Sequence, residues 1–147
     1  MTDKSGGVTL LYLIKQVELA VRSSLDEVTS TRGLTSLQYT ALTVLERHPG
    51  LTSAALARNS FVRAQSMAQM ITALEAAGLI ARKRDPLSRR QYLLSLTPRG
   101  TQVLDDLRDE VAAVETRMVS GLADHETATL RHALRSCRLA LGGREPH

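Results

Sequence analysis

The chain is poor in cysteine and aromatic residues, and it has no long apolar run. Its 147 residues include 1 cysteine, 3 tyrosines, 1 phenylalanine and no tryptophan. A single cysteine excludes a disulfide framework within the chain, and the scarcity of aromatics argues against a stacking surface for single-stranded nucleic acid. No apolar run reaches the roughly 18 residues that a membrane-spanning helix needs, and no signal peptide is recognisable. These absences predict a cytoplasmic protein without a membrane partner.

Basic residues are concentrated in the centre of the chain. Overall, 19 Lys and Arg stand against 15 Asp and Glu, and hydrophobic residues make up 43%, which excludes a disordered chain. The length allows one compact domain, or one domain with helical extensions. Residues 52–99 hold eight basic and two acidic side chains, so this segment carries +6 and the remainder −2. A basic centre between mildly acidic arms predicts a centre that binds a polyanion.

Apolar spacing and capping signals predict four helices in the first half of the chain. The first covers residues 8–30. The motif Thr35-x-x-Gln38 is a capping box that starts the second helix, which stops at His48-Pro49-Gly50. A short helix covers residues 53–59, with Thr52 or Ser53 as its cap, and another covers residues 64–77 before Gly78. The predicted buried face of the second helix is Leu37, Ala41, Leu42, Val44 and Leu45.

Two strand-like runs follow, at residues 79–84 and 91–96. Asp85-Pro86 favours a turn, so the pattern predicts a hairpin whose loop is residues 85–90. Thr97-Pro98 then reads as a cap and a first-turn proline, which start a long helix. The fold class is therefore mainly α with a small β-hairpin.

The last part of the chain carries two narrow apolar seams with steps of 3 and 4, separated by Gly121, after which Asp124 is the predicted cap. Two seams and an apolar first helix exceed what one small domain can cover, which favours pairing with a second copy of the chain. The alternative is that both seams pack on the first helix. The seam residues are Leu104, Leu107, Val111, Val114 and Met118, then Thr127, Leu130, Leu134, Cys137 and Leu141.

A helix, a short helix, a four-residue turn, a polar-faced helix and a basic hairpin follow in the order of a winged helix-turn-helix. Such a motif lays its second helix in the major groove, so the exposed face needs hydrogen-bonding side chains without negative charge. Gln65, Ser66 and Gln69 meet this need, and Ala64 lets the backbone approach closely. The alternative is an ordinary amphipathic helix with a polar solvent face.

The hairpin loop is the second predicted DNA contact, because arginine is the side chain that enters a narrow minor groove. We assign Arg89 to the minor groove and Arg90 to a phosphate or to an ion pair with Asp85. The alternative is a solvated charged loop. The predicted contacts to the DNA backbone are Arg63, Ser53, Arg58, Arg82, Arg84 and Arg90.

With these motifs the chain resembles the MarR (multiple antibiotic resistance regulator) family of winged helix-turn-helix regulators. It departs from the family pattern at Ser88, where Asp is frequent before the paired arginines, and at Arg63, where Ser or Thr usually caps the recognition helix. The matching segments are Leu56-Ala57-Arg58, Val62, L-E-A-A-G-L-I at 74–80, R-K-R-D-P-L-S-R-R at 82–90 and L-T-P-R-G at 96–100.

The resemblance implies a bacterial or archaeal, nucleoid-associated repressor that binds a pseudo-palindromic operator as a homodimer. Residues 35–97 would form the DNA-binding domain, and residues 1–34 and 98–147 the dimerisation region. It also implies a small aromatic or anionic effector, held between the dimer helices and the DNA-binding lobe. Candidate lining residues are Tyr12, Lys15, Tyr39 and His48.

Two other functions compete with this interpretation. A helical dimer could bind protein instead of DNA, but its wing should then be apolar where this one is arginine-rich. An enzyme would need a nucleophile and base, a phosphate loop or a metal site. His125 and His132 are about 10 Å apart along a helix, too far for one zinc ion. We therefore expect no catalytic residue, no metal and no cofactor, and we expect Cys137 to act as a small apolar residue.

Overall fold

The computed structural model describes residues 7–142 and contains six helices and one two-stranded antiparallel sheet in that range. Residues 1–6 and 143–147, which belong to the predicted dimerisation region, lie outside the described residues. The elements are α1 (Leu10–Ser30), α2 (Ser36–Arg47), α3 (Ser53–Asn59), α4 (Ala64–Ala76), β1 (Ile80–Asp85), β2 (Ser88–Leu96), α5 (Pro98–Met118) and α6 (Asp124–Ala140).

Threonine caps start four of the six helices, because each hydroxyl accepts a backbone N–H that the first turn leaves without a partner. Thr9 caps α1, Thr52 caps α3 and Thr97 caps α5. At α2 the capping box is complete: Gln38 N–H donates to the Thr35 hydroxyl, and the Gln38 amide oxygen accepts from Thr35 N–H.

The predicted cap of α6 is wrong by one residue. Asp124 is the first helical residue, and Ala123 occupies the cap position without a side-chain hydrogen bond. Glu126 compensates in part, because its carboxylate accepts the Ala123 N–H at 2.9 Å. Asp124 still lies in the first turn, where a negative charge is favourable.

One apolar core lies where α2, α3, α4, the hairpin and the first half of α5 meet. The α4 stripe is buried at Met67, Ile71 and Leu74, as its spacing predicts. The prediction for α2 is wrong at Leu37, whose residue surface is 47% exposed; Leu37 lies on the predicted side of α2 but in its first turn, ahead of the part that the core covers. The largest fully buried apolar side chains are Leu42, Leu45, Leu56, Met67, Leu74, Leu94, Leu107 and Val44.

The hairpin turn is shorter than the sequence predicts. Only Pro86 and Leu87 separate the strands, so Arg89 and Arg90 belong to β2 and not to a loop. Arg84 pairs with Tyr92 and Asp85 pairs with Ser88, so residues 89–91 form a bulge opposite two adjacent β1 residues. A bulge bends a strand and redirects its side chains, which here places both arginines at the outer end of the hairpin.

The loop between α2 and α3 adds one bridge to the hairpin, which the strand pattern does not predict. Leu94 N–H donates to the Leu51 carbonyl, and Gly50 N–H donates to the Leu94 carbonyl, both at 2.8 Å. This bridge fixes the start of α3 against β2.

The two terminal seams behave differently. Leu104 and Leu107 are buried in the core, and α1 packs along α5. Within residues 7–142, α6 packs closely against no other element and has no buried residue; Leu134 is 49% exposed and Leu141 87%. The alternative in which both seams pack on α1 is therefore wrong for α6. None of the helices described is both long and apolar enough to cross a membrane.

Candidate nucleic-acid interface

The solvent side of α4 matches the predicted recognition surface. Gln65, Ser66 and Gln69 are exposed, and Ala64 is exposed at the first helical position. The opposite side of the helix is anchored in the core through Met67, Ile71 and Leu74. The uncharged polar groups therefore project from a rigid support, and none of them is turned inward.

The turn before α4 presents two exposed side chains. Arg63 occupies the cap position of α4 without a capping hydrogen bond, and the residue is exposed. Phe61 is 78% exposed and adopts a φ of 59°, a conformation that is rare for bulky residues. No sequence signal indicated Phe61, because a left-handed turn position is usually marked by Gly or Asn.

The two predicted backbone contacts on α3 lie at opposite ends of that helix. Ser53 is its first residue and is half-buried, whereas Arg58 is exposed near its C-terminal end. Only Arg58 therefore offers an extended, charged side chain to solvent.

The basic side chains of β1 are less free than the sequence indicates. Arg82 Nε donates to Glu75 Oε2 at 2.7 Å, and its guanidinium carbon lies 5.3 Å from the centre of the Tyr92 ring. The Arg84 guanidinium carbon lies 5.2 Å from the same ring centre, and its Nη1 donates to the Arg89 carbonyl. The predictions did not include Glu75 or Tyr92, although the two-residue period of β2 placed Tyr92 on the same strand face as Leu94.

Arg89 and Arg90 are exposed, and within residues 7–142 neither side chain forms an ion pair. The ion pair between Arg90 and Asp85, one of the two predicted roles of Arg90, does not form; the Asp85 carboxylate accepts the Leu87 N–H at 2.9 Å across the turn. Both guanidinium groups are thus available to a polyanion.

An open groove of about 380 Å³ joins these elements. Ala68 and Thr72 of α4 form one wall, and Arg82, Arg90 and Tyr92 of the hairpin form the other. The N-terminal residues of α3, at 52–54, close one side. The exposed residues Ala68 and Thr72 of α4 and Arg90 of the hairpin therefore line the same concave surface.

The four candidate effector-binding residues are not gathered in one chain. Tyr39 packs against the core in the first turn of α2. The start of α2 meets α1 at Asp26, whose carboxylate accepts the Ser36 N–H at 2.7 Å, and Tyr12 precedes Asp26 by fourteen residues, roughly 21 Å along a helix. Lys15 lies one turn from Tyr12, and His48 lies beyond the opposite end of α2 from Tyr39. None of these four side chains lines the groove beside α4.

Tyr39 sits in a charged setting. Partial burial raises the pKa of its hydroxyl above the ordinary value, the nearby Arg108 guanidinium lowers it and Glu46 raises it further. Arg108 donates to Glu46 at 3.1 Å and to Asp105 at 3.0 Å, which connects α2 to α5. Tyr39 is therefore a neutral hydrogen-bonding group at neutral pH. In the part of the chain that the structure describes, no cluster of three His, Cys, Asp or Glu could hold a metal ion.

Comparisons with known proteins agree with this geometry. A model of the MarR family matches residues 32–91. The HTH-type transcriptional repressor Rv2887 of Mycobacterium tuberculosis is 33% identical over 111 residues, covering 76% of this chain and 80% of that protein.

Two solved structures are also similar. The transcriptional repressor CouR bound to a 23-mer DNA duplex has 28% identity and a TM-score of 0.81, covering 88% of this chain and 92% of that one. The Mycobacterium tuberculosis MarR family protein Rv2887 in complex with salicylic acid has 30% identity and a TM-score of 0.72, covering 88% and 96%.

Proposed function

Because the chain belongs to the MarR family of transcriptional regulators, we propose that it is a repressor that binds a pseudo-palindromic operator as a homodimer. One observation carries this proposal: Ala68 and Thr72 on the exposed side of α4 and the free Arg90 of the hairpin line a single groove. That the similar repressor CouR was solved on a DNA duplex supports it. A regulator of this kind needs no catalytic centre, and we propose none.

On the DNA, α4 would lie in the major groove and the hairpin in the adjacent minor groove. Gln65 and Gln69 can each pair with two atoms of an adenine edge, and Ser66 can pair with several bases. Arg89 would enter the minor groove, where a narrow groove concentrates negative potential. Arg63, Arg58 and Arg90 are exposed arginines that would neutralise phosphates.

The dimer is inferred from the apolar helix faces that one chain leaves exposed. In the described residues α6 has no buried side chain, and apolar residues of α1 are exposed from Leu10 to Leu19. A second copy related by two-fold symmetry would cover these faces and would place two α4 helices on successive half-sites of the operator.

We also propose that the regulator responds to a small aromatic or anionic effector. The salicylic acid complex of the similar protein Rv2887 supports this class of ligand. Tyr12, Lys15, Tyr39 and His48 remain the candidate lining residues. Since one chain does not bring them together, a pocket containing all four requires the dimer.

Selection of operator sequences from random duplexes, followed by gel-shift titrations over a series of salt concentrations, tests the DNA assignment. Gln65→Ala or Gln69→Ala should weaken binding by about 1–3 kcal/mol and relax the base preference at one position of each half-site. Arg89→Ala should weaken binding to most sequences, because its contact depends less on base identity.

Gln102→Ala is the matched control, because Gln102 is an exposed glutamine on α5 that bonds Asp106 of the same helix. It should bind like the wild type. If all three interface variants keep wild-type affinity and base preference, the assignment of α4 and the hairpin to DNA is wrong.

A further inference from the structure

A continuous line of contacts runs from the end of α4 to the bulge of the hairpin. Glu75, in the last turn of α4, accepts a hydrogen bond from Arg82, and the Arg82 guanidinium lies over the Tyr92 ring. Arg84 lies at a similar distance from the same ring and donates to the carbonyl of Arg89. The line therefore ends on the backbone of the residue that we assign to the minor groove.

Tyr92 is the central residue of this line. Both guanidinium carbons lie within the range of about 6 Å over which an aromatic ring attracts a cation. Arg82 and Arg84 are two residues apart on β1, so their side chains share one face of the sheet and their like charges repel each other. The ring and the Glu75 carboxylate offset that repulsion, and this allows both arginines to lie along the hairpin.

We propose that Tyr92 and Glu75 are positioning residues that hold the Arg89 bulge at a fixed place relative to α4. The inference rests on the proposed function, because it assumes that α4 and Arg89 contact the same duplex. Arg82 and Arg84 then act mainly inside the hairpin. They orient the bulge, while the exposed Arg89 and Arg90 meet the DNA.

The bulge explains why such support matters. Residues 89–91 have no separate partners on β1, because Arg84 and Asp85 are adjacent and already pair with Tyr92 and Ser88. Without regular pairing, the direction of the Arg89 side chain depends on what holds its backbone. The hydrogen bond from Arg84 to the Arg89 carbonyl supplies that hold, and Tyr92 keeps Arg84 in place.

A double-mutant cycle tests the inference with the full-length protein and a selected operator duplex. Tyr92→Leu keeps an apolar side chain but removes the ring, and it should weaken binding about tenfold. Tyr92→Phe keeps the ring face and should restore the affinity, since the Tyr92 hydroxyl makes no hydrogen bond within residues 7–142. In an Arg89→Ala background, Tyr92→Leu should change the affinity by less than about twofold.

A footprint separates positioning from a general loss of folding. With Tyr92→Leu or Glu75→Gln, hydroxyl-radical protection of the minor groove should decrease where the hairpin contacts it. Dimethyl sulfate protection in the major groove, which reports α4, should persist. Thermal melting of each variant identifies any loss of fold. Loss of protection in both grooves together with a lower melting temperature would overturn the positioning role.

The outcomes also separate this inference from the proposed function. If the wild-type protein binds no duplex, both fail. If the wild type binds and Arg89→Ala weakens binding, but Tyr92→Leu has no effect or has the same effect in both backgrounds, only the positioning role of Tyr92 is wrong.

Discussion

At the scale of single residues, Gly100 shows why the segment L-T-P-R-G connects the hairpin to α5. A Cβ at Gly100 would lie 2.2 Å from the carbonyl oxygen of Leu79. The same oxygen accepts the Thr97 N–H at 3.0 Å, and the Thr97 hydroxyl donates to the Gly78 carbonyl at 2.6 Å. The start of α5 thus crosses the backbone before β1 so closely that only glycine fits.

Gly100→Ala should therefore destabilise the protein, because either the backbone of Leu79 or the start of α5 must move. We expect the free energy of unfolding to fall by about 1–3 kcal/mol, the typical range for overpacked sites, as measured by urea denaturation. Gly121→Ala is the control, since a Cβ there meets no atom within 4 Å. Equal midpoints for the two variants would contradict this explanation of the motif.

At the scale of secondary structure, the cap residue of α4 differs from the caps of α2, α3 and α5. Its Arg63 cap has the extended backbone that a cap needs, with φ −66° and ψ 147°, but supplies no hydrogen-bond acceptor to the first turn. Thr35, Thr52 and Thr97 supply one at α2, α3 and α5. The proposed recognition helix therefore lacks a stabilising cap and has a cation at that position.

Arg63→Ser should supply the missing capping hydrogen bond and remove the positive charge. A serine hydroxyl at the cap should raise the free energy of unfolding by about 0.5–2 kcal/mol, measured by urea denaturation. The lost cation should weaken binding to operator and random DNA alike and reduce the salt dependence by about one phosphate contact.

Thr35→Ala is the comparison for Arg63→Ser, and it should lower stability by about 1 kcal/mol, because it breaks a complete capping box. If Arg63→Ser leaves both stability and DNA affinity unchanged, Arg63 has neither of the roles assigned to it.

At the scale of the whole molecule, the described residues form one buried core, whereas α1, α6 and the end of α5 leave apolar side chains exposed. The first half of the α5 seam is buried, at Leu104 and Leu107, while Met118 at its end is exposed. Beyond it, α6 keeps the apolar seam but has no buried residue. A seam of this regularity without cover is what a partner helix needs for packing.

Leu134→Asp should disrupt the proposed dimer, because it puts a charge in the middle of the α6 seam. Analytical ultracentrifugation should show a dimer for the wild type and a monomer for the variant, and the wild-type melting temperature should rise with protein concentration. His132→Asp, an exposed site on the other side of α6, should remain dimeric. A monomeric wild type would reject the dimer and, with it, the two-site model of operator binding.

Local sequence signals are enough to predict most of the helix boundaries and the polar face of α4. Capping and periodicity act over three or four neighbouring residues, so Thr35 with Gln38 and the stripe through Met67 and Leu74 could be interpreted locally. Where such local signals mislead, the error is small: the predicted cap of α6, Asp124, lies one residue after the observed cap, Ala123.

Which basic side chains are free and which are held by partners depends on long-range packing. The pairing of Arg82 with Glu75 and Tyr92, the bulge at Arg89 and the close approach of Gly100 depend on segments that meet only after folding. The amino-acid sequence alone does not distinguish an arginine in a solvated loop from one that stacks on an aromatic ring. Its partners are set by strand register and helix packing, which the linear pattern of charges does not specify.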